Sequence, residues 1–261
     1  MATTLTTDLE CYWNCNSNVD DSTANNYDGT RGGDAAYVSG GILGYCLDFS
    51  GAGWVTDFGS PLTSEVNFSV SLWFKSTQTV KGQFLTHYSG GAGDWLQFYI
   101  SQPTVGDISF NPSTGRIQIA GSWNDGDWHH VVGTYENGYT ETWIDGIKEG
   151  TNDSSPHTFS SGDYLIFGAY AAATGKQNYD GLLDEVGIWH KVLSDSEIAE
   201  LYNSGDGLTY PFSTGPDYTV IEINIADVWK ACAGMEINIG DAWKTVASVS
   251  QNIGDTWKTV F

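Results

Sequence analysis

The stretch "DSTANNYDGT" gathers Asp21, Asn25, Asn26 and Asp28 into one short segment. Carboxylate and amide oxygens at that density are the hard ligands that suit Ca²⁺. The D-x-D-x-D-G spacing and closing Glu of an EF-hand are absent. A competing reading is that these residues close turns by bonding their own backbone. Two other stretches carry a different chemistry. "YSGGAGDWLQF" sets Asp94 and Trp95 just after a Gly-rich turn, and "GSWNDGDW" sets Trp123, Asn124 and Asp125 in another. An aromatic ring on a loop can stack on the C–H face of a pyranose while a neighbouring Asn or Asp bonds the hydroxyls. Against this, most Trp residues in a β domain fill its core. His129 and His130 are adjacent, so on a strand they face opposite ways and do not chelate one metal; one is expected to pack inward beside Trp128 or Val132 and the other to meet solvent. No G-x-S-x-G elbow, P-loop or H-E-x-x-H occurs.

Such side chains need a scaffold, and the rest of the 261-residue chain describes one. Aromatics make up 14%, Gly numbers 32 and Pro only 6, which indicates a folded, turn-rich protein. Lys and Arg total 10 against 32 Asp and Glu, and the net charge of -22 repels phosphate backbones and anionic membrane surfaces. Neither nucleic acid binding nor membrane insertion is therefore expected. The opening "MATTLTTDLECYWNC" has no basic segment followed by an apolar one, so synthesis in a cytoplasm without a signal peptide is expected. Cys11, Cys15, Cys46 and Cys232 form no C-x-x-C pair and read as small buried thiols.

Short apolar or alternating runs bounded by Gly, Asn, Asp and Ser recur through the first 190 residues, among them "FSVSLWFKS", "QFLTHYS", "WLQFYIS" and "WHHVVGTYE". Period-two strands at this spacing predict an all-β fold, a two-sheet antiparallel sandwich. Asn137-Gly138 and Asp145-Gly146 are hairpin turns. One short helix interrupts the strands. Ser194 caps "DSEIAELYNSG", Glu197 closes a capping box, Leu193 and Ile198 sit at staple positions, and Gly205 is the stop.

Residues 211–216, within "YPFSTGP", read as a linker between a sandwich over 1–210 and a tail over 217–261. The tail writes one phrase three times, placing Trp229, Trp243 and Trp257 at a 14-residue spacing. Each copy reads as a small β-hairpin. If its loop has two residues, Ile239 faces Ala242 and Trp243 lies with Asn238; if three, Ile239 and Trp243 share a face. A hairpin this small is marginal alone, so the three Trp residues are expected to serve contacts within the chain, in a homo-oligomer, or with other proteins.

Taken in order, "LECYWNCN", "DSTANNYDGT", "FSVSLWFKS", "GDWHHVVGTYENG", "TWIDGIKEG" and "YDGLLDEVGIWHKVLSDSEIAELYNSG" resemble the laminin G-like, concanavalin A-like jelly-roll family, in its phage and bacterial surface-protein branch, over about residues 5–210. The resemblance implies two curved antiparallel sheets of six or seven strands each. It also implies a structural calcium between the early Asx loop and a late-strand Asp, here Asp21, Asn26 and Asp184. Some proteins of this fold are glycoside hydrolases, yet the E-x-D-x-x-E spacing that brings two carboxylates together is missing, and Asp184 and Glu185 are adjacent and point to opposite faces. "INIGDAWKTV" is similar to phrases at the ends of structural proteins of tailed phages. The combined expectation is a non-enzymatic virion surface protein whose jelly roll recognises a glycan or another virion protein and whose repeats anchor or oligomerise it. The alternatives are a structural decoration subunit without a ligand, or a carbohydrate-active enzyme.

Overall fold

The computed structural model describes residues 4–56, 58–88, 96–112, 115–153, 156, 158–160, 163–171 and 177–212, together with the backbone of four short strands in the tail. Chain contacts divide it into two compact units, 1–212 and 213–261. The first opens with β1 Leu9–Trp13, β2 Thr30–Gly32, β3 Ala36–Gly41, β4 Gly44–Asp48, β5 Trp54–Thr56, β6 Asn67–Lys75 and β7 Gly82–Tyr88. It continues with β8 Leu96–Ile100, β9 Ile108–Pro112, β10 Ile117–Ile119, β11 His129–Glu136, β12 Tyr139–Ile144, β13 Ile147–Asp153, β14 Tyr164–Phe167, β15 Leu182–Trp189 and the helix α1 Asp195–Tyr202.

These strands form two antiparallel sheets, as the alternation predicts, of eight and seven strands. One runs β13-β12-β11-β6-β15-β4-β3, with β1 also paired to β15; the other runs β10-β9-β8-β7-β14-β5-β2. The central strand β6 shows why the sheets pack. Phe68, Val70, Leu72 and Phe74 alternate onto one face and enter the core between the sheets, where Leu96, Phe98, Ile100, Ile108 and Phe110 meet them from β8 and β9. Each such side chain contributes roughly 1.5–3 kcal/mol by leaving water.

The other face of β6 is also buried. Tyr12, Val132, Trp143 and Trp189 form a second apolar cluster there with Leu193, Ile198 and Leu201 from the helix region and with Phe212. The capping box at Ser194 and Glu197 is present, but Asn203, in the left-handed conformation at φ 48°, caps the helix two residues before Gly205. Phe212 is fully buried and meets Tyr12 edge-on at 5.0 Å, so the first unit extends two residues past the expected boundary at 210.

This second cluster corrects the reading of the histidine pair. His129 and His130 are both buried, because the layer around the helix covers the face that would otherwise meet solvent. His130 lies against Trp73 at 5.0 Å, and burial drives its pKa down to about 3.

In the tail, β16 Glu236–Ile239 pairs with β17 Ala242–Thr245, and β18 Ser250–Asn252 with β19 Trp257–Thr259. Ile239 faces Ala242 and Asn238 faces Trp243, which is the two-residue loop. Asn252 faces Trp257 in the same register one repeat later. Trp229, the first copy of the repeat and Cys232 lie outside the described residues.

Candidate functional site

The outer face of the seven-stranded sheet is polar, and it is buried over Gln83, Thr86, Gln97, Tyr99 and Ser109. On β8, β9 and β10, Leu96, Phe98, Ile100, Ile108, Phe110, Ile117 and Ile119 point into the core, so Gln97, Tyr99, Ser109, Asn111 and Gln118 lie on the opposite face. Register aligns them in rows: Gln118, Ser109, Tyr99 and Gln83 run across four strands, and Asn111, Gln97 and Thr86 across three. Tyr88 pairs with Tyr164 on β14, their rings edge-on at 5.6 Å. Gln83, Thr86 and Ser109 are fully buried.

The Gln side chains are joined. Gln83 Nε2 donates to Gln97 Oε1 at 3.0 Å and to Gln177 Oε1 at 2.9 Å. Lys81 Nζ donates to the same Gln97 oxygen at 3.0 Å and sits 3.9 Å from the centre of the Tyr99 ring. Burial first, then the nearby charge of Arg116, lower the Lys81 pKa to about 8. Among the described residues, Gln83 Oε1, Thr86 Oγ1 and Asn178 Oδ1 are buried with no hydrogen-bond partner. Orphans of this kind cost about 1–3 kcal/mol each and mark a place where stability is spent on something else.

Beside this network opens a cavity of about 480 Å³, whose lining includes Thr77, Gln78, Thr79, Lys81, Gln177, Asn178 and Asp180. Gln78 staples its walls: its Nε2 donates to Asn178 O at 2.9 Å, and its Oε1 accepts from Asp180 N at 2.9 Å. Ser101 Oγ and Asn124 Nδ2 donate to Gln78 O at 2.7 and 3.2 Å. Besides Gly51 and Val80, the lining is amides and hydroxyls with one ammonium and one carboxylate, a set that matches a hydroxyl-rich ligand. Its volume falls in the range of ligand sites, about 300–1,000 Å³.

Of the glycan-binding candidates read from the sequence, Trp123, Asn124 and Asp125 are described. Asp94 and Trp95 lie outside the described residues. Trp123 is half-buried, packs against the core and meets His129 edge-on at 5.2 Å, so it is not an open stacking platform. Asn124 supports the cavity wall through Gln78. Asp125 Oδ1 accepts from Asp127 N at 2.8 Å and lies 3.2 Å from His129 Nε2.

The proposed calcium ligands do not fit a cation. Asp21 Oδ1 accepts from Tyr12 N and Thr23 N, and Oδ2 from Thr23 Oγ1 and Tyr27 N, so four donors already saturate it. Asn26 is exposed, with its Nδ2 donating to Ala24 O at 2.9 Å. Asp184 is fully buried and accepts from Ile42 N, Leu43 N and Glu185 N. N–H donors aimed at both carboxylates occupy the positions a cation would need. Among the described residues no three His, Cys, Asp or Glu side chains gather in a metal-binding group.

Catalytic pairings are buried too. Ser71 Oγ lies 2.8 Å from His130 Nε2 and Ser60 Oγ lies 3.2 Å from His87 Nε2, but both histidines are at most 1% exposed. Asp184 and Glu185 do not simply alternate, because the pairing of β15 with β6 shifts between Asp184 and Gly187 and Glu185 takes φ 48°. Glu185 Oε2 accepts from the phenolic Oη of Tyr12 at 2.6 Å, beside the second cluster.

A model of the Concanavalin A-like lectin/glucanases superfamily matches residues 49–199, more than half of the chain. The chain belongs to that superfamily. Several solved structures share the fold of this superfamily member. Domain 4 of AbnA, a GH43 extracellular arabinanase from Geobacillus stearothermophilus, was solved with arabinotriose; it is 21% identical, with a TM-score of 0.62, over 77% of this chain and 98% of that one. The binding domain of Paraclostridial Mosquitocidal Protein 1 is 13% identical, with a TM-score of 0.58, over 76% of this chain and 52% of that one. The botulinum neurotoxin serotype D ligand binding domain, solved with N-acetylneuraminic acid, is 16% identical, with a TM-score of 0.54, over 75% and 50%. The match spans about half the length of the two toxin domains. A comparison with curated proteins returns no match.

The alternation hid the cavity. "QFLTHYS" and "WLQFYIS" read only as strands of the sandwich, with no role for Gln97 or Tyr99. The available signal was three amides, Gln83 and Gln97 at the second positions of β7 and β8 and Gln78 in the loop before β7.

Proposed function

We propose that this superfamily member is a non-catalytic carbohydrate-binding protein that takes a glycan in the cavity walled by Gln78, Lys81, Gln177, Asn178 and Asp180. The observation that carries this reading is the joined network of amides beside an open polar cavity, since amide groups can both donate to and accept from sugar hydroxyls. Two solved relatives, one bound to arabinotriose and one to N-acetylneuraminic acid, support it. No calcium takes part in this reading. Thr79 is exposed on the cavity rim, so Thr79→Trp fills the cavity without disturbing the core. Binding to the strongest partner on a glycan array is expected to fall at least about 10-fold, near 1.4 kcal/mol, with the melting temperature unchanged. Full binding by a folded Thr79→Trp protein would contradict the cavity.

The domain is placed, in the same reading, on the surface of a tailed-phage particle, with the repeats as an assembly or anchoring module. The support is the repeated phrase itself and its two-stranded hairpins, β16-β17 and β18-β19, each marginal alone in water. No helix among the described residues is long and apolar enough to cross a membrane. Deleting residues 213–261 is expected to leave a folded unit of 1–212 while changing the oligomeric state or particle attachment, read by light scattering and co-sedimentation. A truncated chain that keeps both would remove the anchoring role.

A further inference from the structure

The cations of this chain are few, and where they sit is informative. Of the 10 Lys and Arg residues, Lys148 pairs with Glu141 and Lys191 with Glu197. Lys81 makes no ion pair among the described residues, although it is half-buried and the chain carries 32 carboxylates. Its two contacts are the neutral Gln97 oxygen and the Tyr99 ring. Arg31, Lys75 and Arg116 likewise make no ion pair among the described residues, and Lys81 stands apart from them by lining the cavity. A partly desolvated ammonium without a carboxylate partner is unfavourable unless something negative joins it. In a protein of net charge -22, an anion would otherwise be repelled from the surface.

The geometry points to an acidic saccharide as the ligand of this cavity, with Lys81 holding the sugar carboxylate. This rests on the glycan-binding reading above and narrows it. Gln177 and Asn178 meet the hydroxyls of the same ligand. Asp180, beside Gly51 in the same lining, repels the ligand carboxylate toward Lys81 and accepts from hydroxyls itself.

The test uses the full chain on an array carrying neutral and uronic-acid saccharides, followed by titration calorimetry of the strongest binder and its carboxyl-reduced form. The strongest binder is expected to be acidic, and reduction is expected to weaken it at least about 10-fold. Lys81→Gln is expected to bring the acidic form down to the level of the reduced one, while Lys81→Arg keeps the preference; matching melting temperatures exclude misfolding. A neutral strongest binder, or an acidic one indifferent to reduction or to Lys81→Gln, overturns the acidic-ligand inference and leaves the glycan reading standing. Absence of binding to every saccharide overturns both.

Discussion

Asp184→Ala is expected to destabilise the jelly roll by about 3–5 kcal/mol, read as a lower midpoint in urea unfolding. The side chain is fully buried and accepts backbone N–H bonds from Ile42 at 2.9 Å, Leu43 at 3.4 Å and Glu185 at 3.0 Å. Removing it strands these donors away from water, at about 1–3 kcal/mol each. The loop donors approach so closely because position 41 is Gly: a Cβ there would stand 2.5 Å from Asp184 Oδ2. Asp184→Asn keeps one oxygen for Ile42 and Leu43 and is expected to cost less, about 1–2 kcal/mol. Burial already raises the Asp184 pKa to about 7, so its loss costs hydrogen bonds more than charge. EDTA is expected to leave the wild-type melting temperature unchanged. A calcium-bound Asp184 would give the reverse pattern: EDTA would destabilise the wild type, and Asn would be nearly as damaging as Ala.

The second large effect is a pH dependence that Glu185→Gln should flatten. Burial, and then the charge of Asp184, raise the Glu185 pKa to about 8, against the opposing hydrogen bond from Tyr12. The folded protein therefore holds a proton that the unfolded chain releases near pH 4.5. This contribution is complete at low pH and is lost as pH rises toward 8. Asp184 and His129 act in the same direction; burial alone would lower the His129 pKa, but hydrogen bonds and charges from Asp145 and Asp125 raise it. His130 and His87, lowered by burial to about 3 and about 4, act oppositely, since the unfolded chain takes up their protons below about pH 6.5. Stability should peak in mildly acidic solution and fall by about 2 kcal/mol between pH 6.5 and 8, at about 1.4 kcal/mol per pH unit for one proton. Glu185→Gln fits the protonated geometry, accepting from Tyr12 through its carbonyl oxygen. It should be near neutral in effect at pH 5.5 and stabilising at pH 8. An unchanged slope in the variant would show that Glu185 does not titrate this way.

Local chemistry was legible wherever the physics is local. Alternation in β6 and β8 predicts the two sheets, and the reciprocal bonds of Ser194 and Glu197 are present as the capping box requires. Asn137-Gly138 and Asp145-Gly146 both adopt the positive φ of primed hairpin turns. What no local pattern carries is contact between distant segments. Gln78 meets Asn178 and Asp180, 100 and 102 residues away, and Asp184 meets Ile42 and Leu43, 142 and 141 residues away. Those contacts create the cavity and consume the carboxylate that the family resemblance assigned to calcium. Alternation also fails where an outer face is covered: His130 and Trp73 are buried beneath the helix region, and Trp123 is drawn against the core. The Asx loop shows the simplest outcome, with Asp21 bonding the backbone of its own turn and of Tyr12.

The most direct measurement of the binding site is a titration of the isotope-labelled chain with its strongest array glycan, followed through the side-chain amide resonances. The largest shifts are expected at Gln78, Gln83, Gln97, Gln177 and Asn178, which wall the cavity or bond to its lining. Shifts confined to the indole N–H resonances of Trp229, Trp243 and Trp257, with the cavity amides unmoved, would contradict it.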